Sequence, residues 1–393
     1  MRGLNVPEQD EDFTADPVEL FFDLAFVYAF SRLVAHLVHH PDWTGAWEAA
    51  LLFGILWLPW SWFTWSANAV PGNQRLVRVV FLVATAVTVP MAASVETAFG
   101  SGGSTFAVAG GVIMLMAVAL QLVSLDNESE TFRSAVRLGW PVLIAIVLLV
   151  VGGFVDGDAR VALWVAMVAV TFVATMFAGR GEWIVRSGHF AERHGLILII
   201  ALGEVIVAIG IAVSNSLDDG GLDSATRLGL LAAGVFAGLL WWSYFDRVLP
   251  ALEHKAEQLD HRPRGPFARD VYTWSHAPII GGVIASAAAV EETLLHPSDP
   301  LYAEFRTMFV VGLALMWGGV AIAVFRAWRV VARERLVALA LIALLAAVAG
   351  SWDGVWLLVA VDVVIFAALL IEHFRVEGGG SEASDEADAT AAG

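Results

Sequence analysis

Cysteine is absent from this chain of 393 residues, which excludes disulfides and thiolate metal sites. Charge is scarce as well: 16% of residues are Asp, Glu, Lys or Arg, against 58% hydrophobic. A soluble protein of this length needs a charged coat over most of its surface, and this composition cannot supply one. Lysine is nearly missing, Lys255 standing alone beside 21 arginines, a bias from which no function is read. The chain also lacks a P-loop, a Rossmann fingerprint, a zinc-protease helix and a nucleophile elbow. No basic domain for nucleic acid is present. An enzyme is therefore the less favoured reading, and neither cofactor nor metal is expected. The histidines His36, His39 and His40 with Asp42 are too loosely spaced to argue for a metal site.

What is present is apolar and aromatic. With 16 Trp, 23 Phe and a mean hydropathy of +0.73, much of the surface is expected to have lipid as its solvent. The start, MRGLNVPEQDEDFTADP, is short, polar and acidic, unlike a cleavable signal peptide. The net charge of −17 is spread largely over termini and loops, including the tail VEGGGSEASDEADATAAG. That tail has little to bury and is expected to be disordered.

A helix needs roughly 20 apolar residues to cross the hydrocarbon core of a bilayer. Segments of that kind fall at 17–39, 46–67, 76–96, 105–124, 139–155, 159–178, 194–214, 227–245, 271–290, 305–325, 334–351 and 354–373. The expected class is all-α, a polytopic integral membrane protein with twelve transmembrane helices. Its parts would be an acidic N-terminus (1–16), a first six-helix half (17–178), a linker (179–193), a second six-helix half (194–373) and the acidic tail (374–393). With the N-terminus inside, 18 of the 22 basic residues lie in inner segments, and Arg160, Arg227 and Arg306 lie in outer loops. That asymmetry is expected to place both termini in the cytoplasm, with the chain in the cytoplasmic membrane.

Shifting the sequence by 181 residues lays the first span on the seventh, so that Asp23 meets Glu204 and Trp60 meets Trp241. Six spans per half is an even number, so the halves would be a parallel internal repeat about an axis along the membrane normal. The GxxxG of Gly234 and Gly238 reads as a close-packing face.

Acids inside spans are costly and default to function. Glu204, in IIALGEVIVAIG, lies ten residues past His194, about 15 Å along the helix and near the bilayer midplane. It must be protonated, paired or facing a wet cavity; it serves either as a proton carrier or as a bond between two helices. Glu19 and Asp23, four apart in PVELFFDLAF, share one helix face. Asp362 is a second midplane acid, and Arg32 either snorkels or finds a partner on another span. His276 precedes Pro278 by two residues, a titratable ring beside an expected bend, suited to a relay or simply to a carbonyl bond. Asp246 ends the WWSYFD segment, whose aromatics read first as an interface belt and second as a cavity wall.

Four stretches in order, PVELFFDLAFVYAF, HFAERHGLILIIALGEVIVAIG, WWSYFD and SHAPIIGGVI, carry a resemblance to the bacterial low-temperature-requirement A (LtrA) family. The resemblance implies a multi-pass membrane protein linked by name to growth in the cold, and it implies positions more than mechanism. Glu19 and Asp23 match the acids of its first-helix motif. His189, Glu192, Arg193, Gly203 and Glu204 match its central block, and Asp246 and His276 its later motifs. Where that family often has a small polar residue after the central Glu, Val205 stands here.

Three readings follow. The first is a proton- or ion-coupled transporter of a small solute, with Asp23 and Glu204 facing each other and His276 and Asp362 as relay. The second is a proton or ion channel. The third is a membrane sensor or intramembrane enzyme linked to cold adaptation. The expected partners are the lipid bilayer, a small solute or ion and a second copy of the chain in a homo-oligomer.

Overall fold

The computed structural model describes residues 13–178, 181, 183–218 and 221–391. The other residues, which include most of the expected N-terminal segment and part of the linker, lie outside the described residues. Among those described the secondary structure is helical, and the one pairing of extended type is a bridge between Pro300 and Asp353. In chain order the helices are α1 (Pro17–His39), α2 (Trp43–Ala67), α3 (Arg75–Ala93), α4 (Gly103–Val123), α5 (Glu130–Gly153), α6 (Asp158–Ala178) and α7 (Ser187–Asp218). They continue with α8 (Ser224–Phe245), α9 (Val248–Glu257), α10 (His261–Ala268), α11 (His276–Leu295), α12 (Ala303–Trp328), α13 (Arg333–Val348) and α14 (Gly354–Ala391).

Every expected span falls largely on one of these helices, and among the described residues ten stretches are long and apolar enough to cross a membrane. The two that fall short are α2 and α13. In α2 the indoles of Trp43, Trp47, Trp57, Trp60, Trp62 and Trp65, together with Pro59, dilute the aliphatic content. α13 has 16 residues, fewer than the roughly 20 a perpendicular crossing needs. Its outward side is nonetheless apolar: Leu336, Val337, Leu341, Leu344 and Val348 are between 46% and 61% exposed. A contiguous apolar surface of that kind needs a lipid or protein cover.

Two boundaries differ from expectation. α7 begins at Ser187, seven residues before position 194, because its polar first turns are buried against partners on other helices. α14 carries helical backbone to Ala391 through the stretch that composition reads as disordered.

Helices α1, α7 and α11 contact one another in the middle of the molecule, with α2 beside them and α12 along α11. α1 and α7 run in the same direction, since Glu19 meets Arg193 and, further along both, Ser31 meets Glu204. Small residues bring α11 and α12 into backbone contact. A Cβ on Gly282 would lie 2.3 Å from the Gly312 carbonyl oxygen, and one on Gly319 would lie 2.5 Å from that of Ser275. The GxxxG of α8 does not pack in this way: a Cβ on Gly234 or Gly238 would meet nothing within 4 Å. The close-packing face sits on α11 and α12 instead, where the glycines point at a neighbouring backbone.

The tight turn before α6 is built around Gly157, whose φ of +58° suits a residue without a Cβ. Arg160 closes it from within. It is 3% exposed and donates to the carbonyls of Gly152, Val155, Ala98 and Gly100, satisfying two loops with one guanidinium.

Gly282→Val should destabilise the folded protein by about 1–3 kcal/mol through overpacking. Gly234→Val and Gly238→Val should stay within about 0.5 kcal/mol of wild type. Thermal unfolding of the detergent-solubilised protein compares the three variants directly.

Candidate functional site

The polar content of the core concentrates where α1, α2 and α7 meet. Asp16 and Glu19 form a capping box at the start of α1, with the Asp16 N–H donating to Glu19 Oε1 at 3.3 Å. The other oxygen of Glu19 receives two partners from α7: His189 Nε2 at 2.9 Å and Arg193 Nη1 at 3.0 Å. One helical turn deeper, Asp23 Oδ1 accepts from Arg193 Nη2 at 2.8 Å and from Trp60 Nε1 of α2 at 2.8 Å. The whole group is sealed, with Glu19, His189 and Arg193 at 0% exposure and Asp23 at 1%. Burying charges in a medium of low dielectric is tolerable only when they are paired and hydrogen-bonded, as they are here. Three atoms end without a hydrogen-bond partner: Asp23 Oδ2, His189 Nδ1 and Arg193 Nε.

Segment 13–16 covers this cluster. The Phe13 ring stands edge-on to His189 with centroids 5.1 Å apart, and the Arg186 guanidinium lies 4.8 Å from its centre. The Ala15 N–H donates to Glu192 Oε2 at 2.7 Å, and Arg78 pairs with Asp16 at 3.1 Å. Glu192 therefore holds the cover and takes no part in the buried cluster itself.

A second polar group continues from the first across the protein. His194 stands edge-on to Trp60, with centroids 5.1 Å apart, and reaches the ring of His276 at 4.9 Å. Nδ1 of His194 lies 2.8 Å from the Phe190 carbonyl, and Nδ1 of His276 lies 2.8 Å from that of Val271. Both Nδ1 atoms therefore carry the hydrogen in the neutral rings, leaving each Nε2 as an acceptor. Nε2 of His276 accepts from the Tyr244 hydroxyl, while Nε2 of His194 has no hydrogen-bond partner. The irregularity beside His276 is a π-helical turn over Arg269–Trp274, upstream of the expected bend at Pro278. Pro278 sits in the first turn of α11, where a missing N–H costs little. π-turns of this kind gather at functional positions.

The remaining sequence candidates are dispersed. Glu204 is 1% exposed, accepts from Ser31 Oγ at 2.8 Å and leaves Oε1 without a partner. Ser31 follows Asp23 by eight residues, about 12 Å along α1. Asp23 and Glu204 therefore belong to separate layers and do not face each other. Asp362 is buried in α14 with Oδ1 unpartnered and makes no bond to either group. Arg32 turns outward to Glu96 at 2.5 Å, with a third of its side chain exposed. Asp246 lies beside Arg247 at 3.4 Å and is half open. Gly203 has open space where a Cβ would be.

Tyr244, Trp60 and His194 emerge as site residues that sequence reasoning did not select. Each carried a faint signal, a polar group inside a motif that reads as aromatic or apolar. The WWSYFD segment divides between the two roles considered for it: Trp241 is 48% exposed, while Tyr244 is fully buried against His276.

Helical structure with ten membrane-competent stretches among the described residues, and a sealed ionic cluster between the central helices, defines a polytopic membrane protein. The chain matches the family described as Bacterial low temperature requirement A protein (LtrA) over residues 14–370, and it belongs to that family. It is also similar to the uncharacterized protein RA0937 of Rhizobium meliloti (strain 1021), with 29% identity over 300 residues, 74% of this chain and 72% of that one. No solved structure matches it.

Removing the shared cation should be the most damaging single change at the site. Arg193→Met would leave Glu19 and Asp23 buried without their cation and is expected to cost about 3–5 kcal/mol. Glu204→Gln keeps an acceptor for Ser31 and should cost no more than about 1 kcal/mol. Unfolding midpoints of the two variants in the same detergent test this ranking.

Proposed function

We propose that this protein is a proton-coupled transporter of a small solute in the bacterial cytoplasmic membrane. The observation that carries the reading is the charge balance of the buried cluster. Glu19 and Asp23 bring two negative charges, and Arg193 brings one permanent positive charge. A sealed, low-dielectric site disfavours the leftover negative charge, so the cluster binds one proton. Both oxygens of Glu19 already accept hydrogen bonds, which keeps it ionised. The proton then resides on Asp23, whose Oδ2 has no other partner.

A site that must hold one proton when closed, and can release it when opened, is what coupling requires. The route onward runs through His194, His276 and Tyr244, in contact from α7 to α8. Phe13 closes one side, so exchange with that side requires segment 13–16 to lift from His189. In this reading α1 and α7 are corresponding helices of two parallel six-helix halves, and movement between the halves shears the cluster that joins them. Both termini are cytoplasmic. Glu204, with Ser31, forms a second polar layer on the pathway, and Asp362 lies apart from it. The cold phenotype of the family name would then reflect the solute moved.

The test is proton flux in proteoliposomes, with and without a panel of small solutes. Asp23→Asn leaves Glu19 and Arg193 balanced without an exchangeable proton. It should lower solute-dependent flux at least about tenfold, a barrier change of 1.4 kcal/mol or more, while the fold persists. Flux in Asp23→Asn equal to wild type would sink the proposal, as would wild-type protein that moves no protons with any solute. Proton flux that ignores solutes altogether would point to a channel.

A further inference from the structure

The end of α11, the start of α12 and the turn between α13 and α14 meet around a pocket of ≈ 450 Å³. Small-molecule sites are of that size, roughly 300–1,000 Å³. In the orientation proposed above, the pocket belongs to the outer face, at the opposite end of α11 from His276. Its walls are tied together by backbone. The Gly354 N–H donates to the Asp299 carbonyl at 2.8 Å, the Val355 N–H donates to that of Pro297 at 3.3 Å, and Pro300 bridges to Asp353. The loop after α11 is thereby fixed against the start of α14.

Glu292, His296, Asp299, Tyr302, Arg306 and Gly350 are on the lining. Glu292 is 8% exposed, and its Oε1 lies 3.1 Å from His296 Nδ1. Its Oε2 has no protein partner, yet it is not sealed from water as the unpartnered atoms of the ionic cluster are. Arg306 donates from Nε to the Ala346 carbonyl at 2.9 Å and from Nη1 to that of Leu301 at 2.5 Å. Its Nη2 is left uncommitted and, like Glu292 Oε2, accessible. By contrast Arg160 spends every guanidinium nitrogen on the loops it closes. Gly350 keeps the space beside Arg306 clear, since a Cβ there would stand 3.5 Å from Nη2.

Opposite charges therefore share one pocket without neutralising each other: Glu292 is paired with His296, and Arg306 with carbonyls. Asp299 adds a second, exposed carboxylate to the same lining. A plain anion would be repelled by Glu292 and Asp299, and a plain cation by Arg306. A molecule that carries both charges meets a partner for each, in charge-assisted hydrogen bonds.

We propose that this pocket binds a small zwitterion, a carboxylate and a primary ammonium joined by a short chain, as in an amino acid. The carboxylate accepts from Arg306 Nη2, and the ammonium donates to Glu292 Oε2 with Asp299 beside it. This names the solute class for the transport proposed above; it rests on that reading for movement but not for binding.

Glycine, β-alanine and γ-aminobutyrate are the probes, measured by equilibrium dialysis on the purified full chain in detergent. They vary the separation of the two charges, and butyrate and butylammonium each lack one of them. At least one zwitterion should bind saturably at one site per chain. The two singly charged molecules should bind at least about tenfold more weakly, equivalent to 1.4 kcal/mol. Glu292→Gln should weaken the zwitterion at least about tenfold and bind butyrate more tightly than wild type does, a reversal that a merely structural role would not produce. Gly350→Leu fills the space beside Arg306 with both charges intact and should weaken the zwitterion at least about fivefold, while Asp23→Asn leaves its affinity within about twofold. No saturable binding of any of the three zwitterions to folded wild type would overturn the site. So would unchanged affinity in both pocket variants, and singly charged molecules that bind as tightly would overturn the zwitterion class. Should Glu292→Gln fail to fold, Gly350→Leu decides alone. Binding abolished in vesicles of phosphatidylethanolamine but not of phosphatidylcholine would assign the pocket to a lipid headgroup and overturn a soluble ligand. Binding that is saturable and Glu292-dependent, in a protein that moves no protons, would keep the site and sink the transport reading. Solute-dependent flux without saturable zwitterion binding would do the reverse.

Discussion

The bond on which the rest depends is that of Arg193 to two carboxylates at once, Glu19 at 3.0 Å and Asp23 at 2.8 Å. It joins α1 to α7 in a space without water, and the cost of leaving any member alone fixes the register of the two helices. The capping box of α1 shares Glu19 with it, so the helix start and the ionic cluster are one construction. Trp60 brings α2 to the same carboxylate. A carboxylate four residues from the first thus links three helices, which an apolar contact could not do with the same directionality.

Around that centre the packing follows membrane logic. Apolar faces point outward where a soluble protein would carry charge, and small residues sit where two backbones touch along α11 and α12. Polar groups inside the bundle are satisfied locally, by a carbonyl one turn back or by an aromatic N–H. Among the atoms left unsatisfied are those on Asp23, His189, Arg193, His194 and Glu204, in the polar layers between α1, α7 and α11.

Much of the architecture was legible because lipid as solvent imposes a simple pattern. Long apolar runs become helices, and each of the twelve expected segments lies largely on one. Two of them, α2 and α13, are less apolar or shorter than the rest, through tryptophan content and through length. The pattern missed the first turns of α7. Hydropathy treats His189, Glu192 and Arg193 as water-facing because it cannot see that two of them are paired inside the bundle. The GxxxG of α8 failed for a related reason, since a spacing says nothing about what stands opposite.

What the sequence by itself determined is the helical class, the acids that must find partners and the family to which their motifs belong. Each follows from costs paid along a single helix, in residue after residue. Which partners those acids find was decided only by tertiary structure, because pairing depends on helices far apart in the chain. Asp23 and Glu204 looked like counterparts across a repeat, yet Asp23 went to Arg193 and Trp60, and Glu204 to Ser31. Arg193, which sequence position assigned to a cytoplasmic linker, became the centre of the buried site. A charge inside a membrane protein takes its role from what it meets across the bundle, and that meeting exists only once the helices are packed.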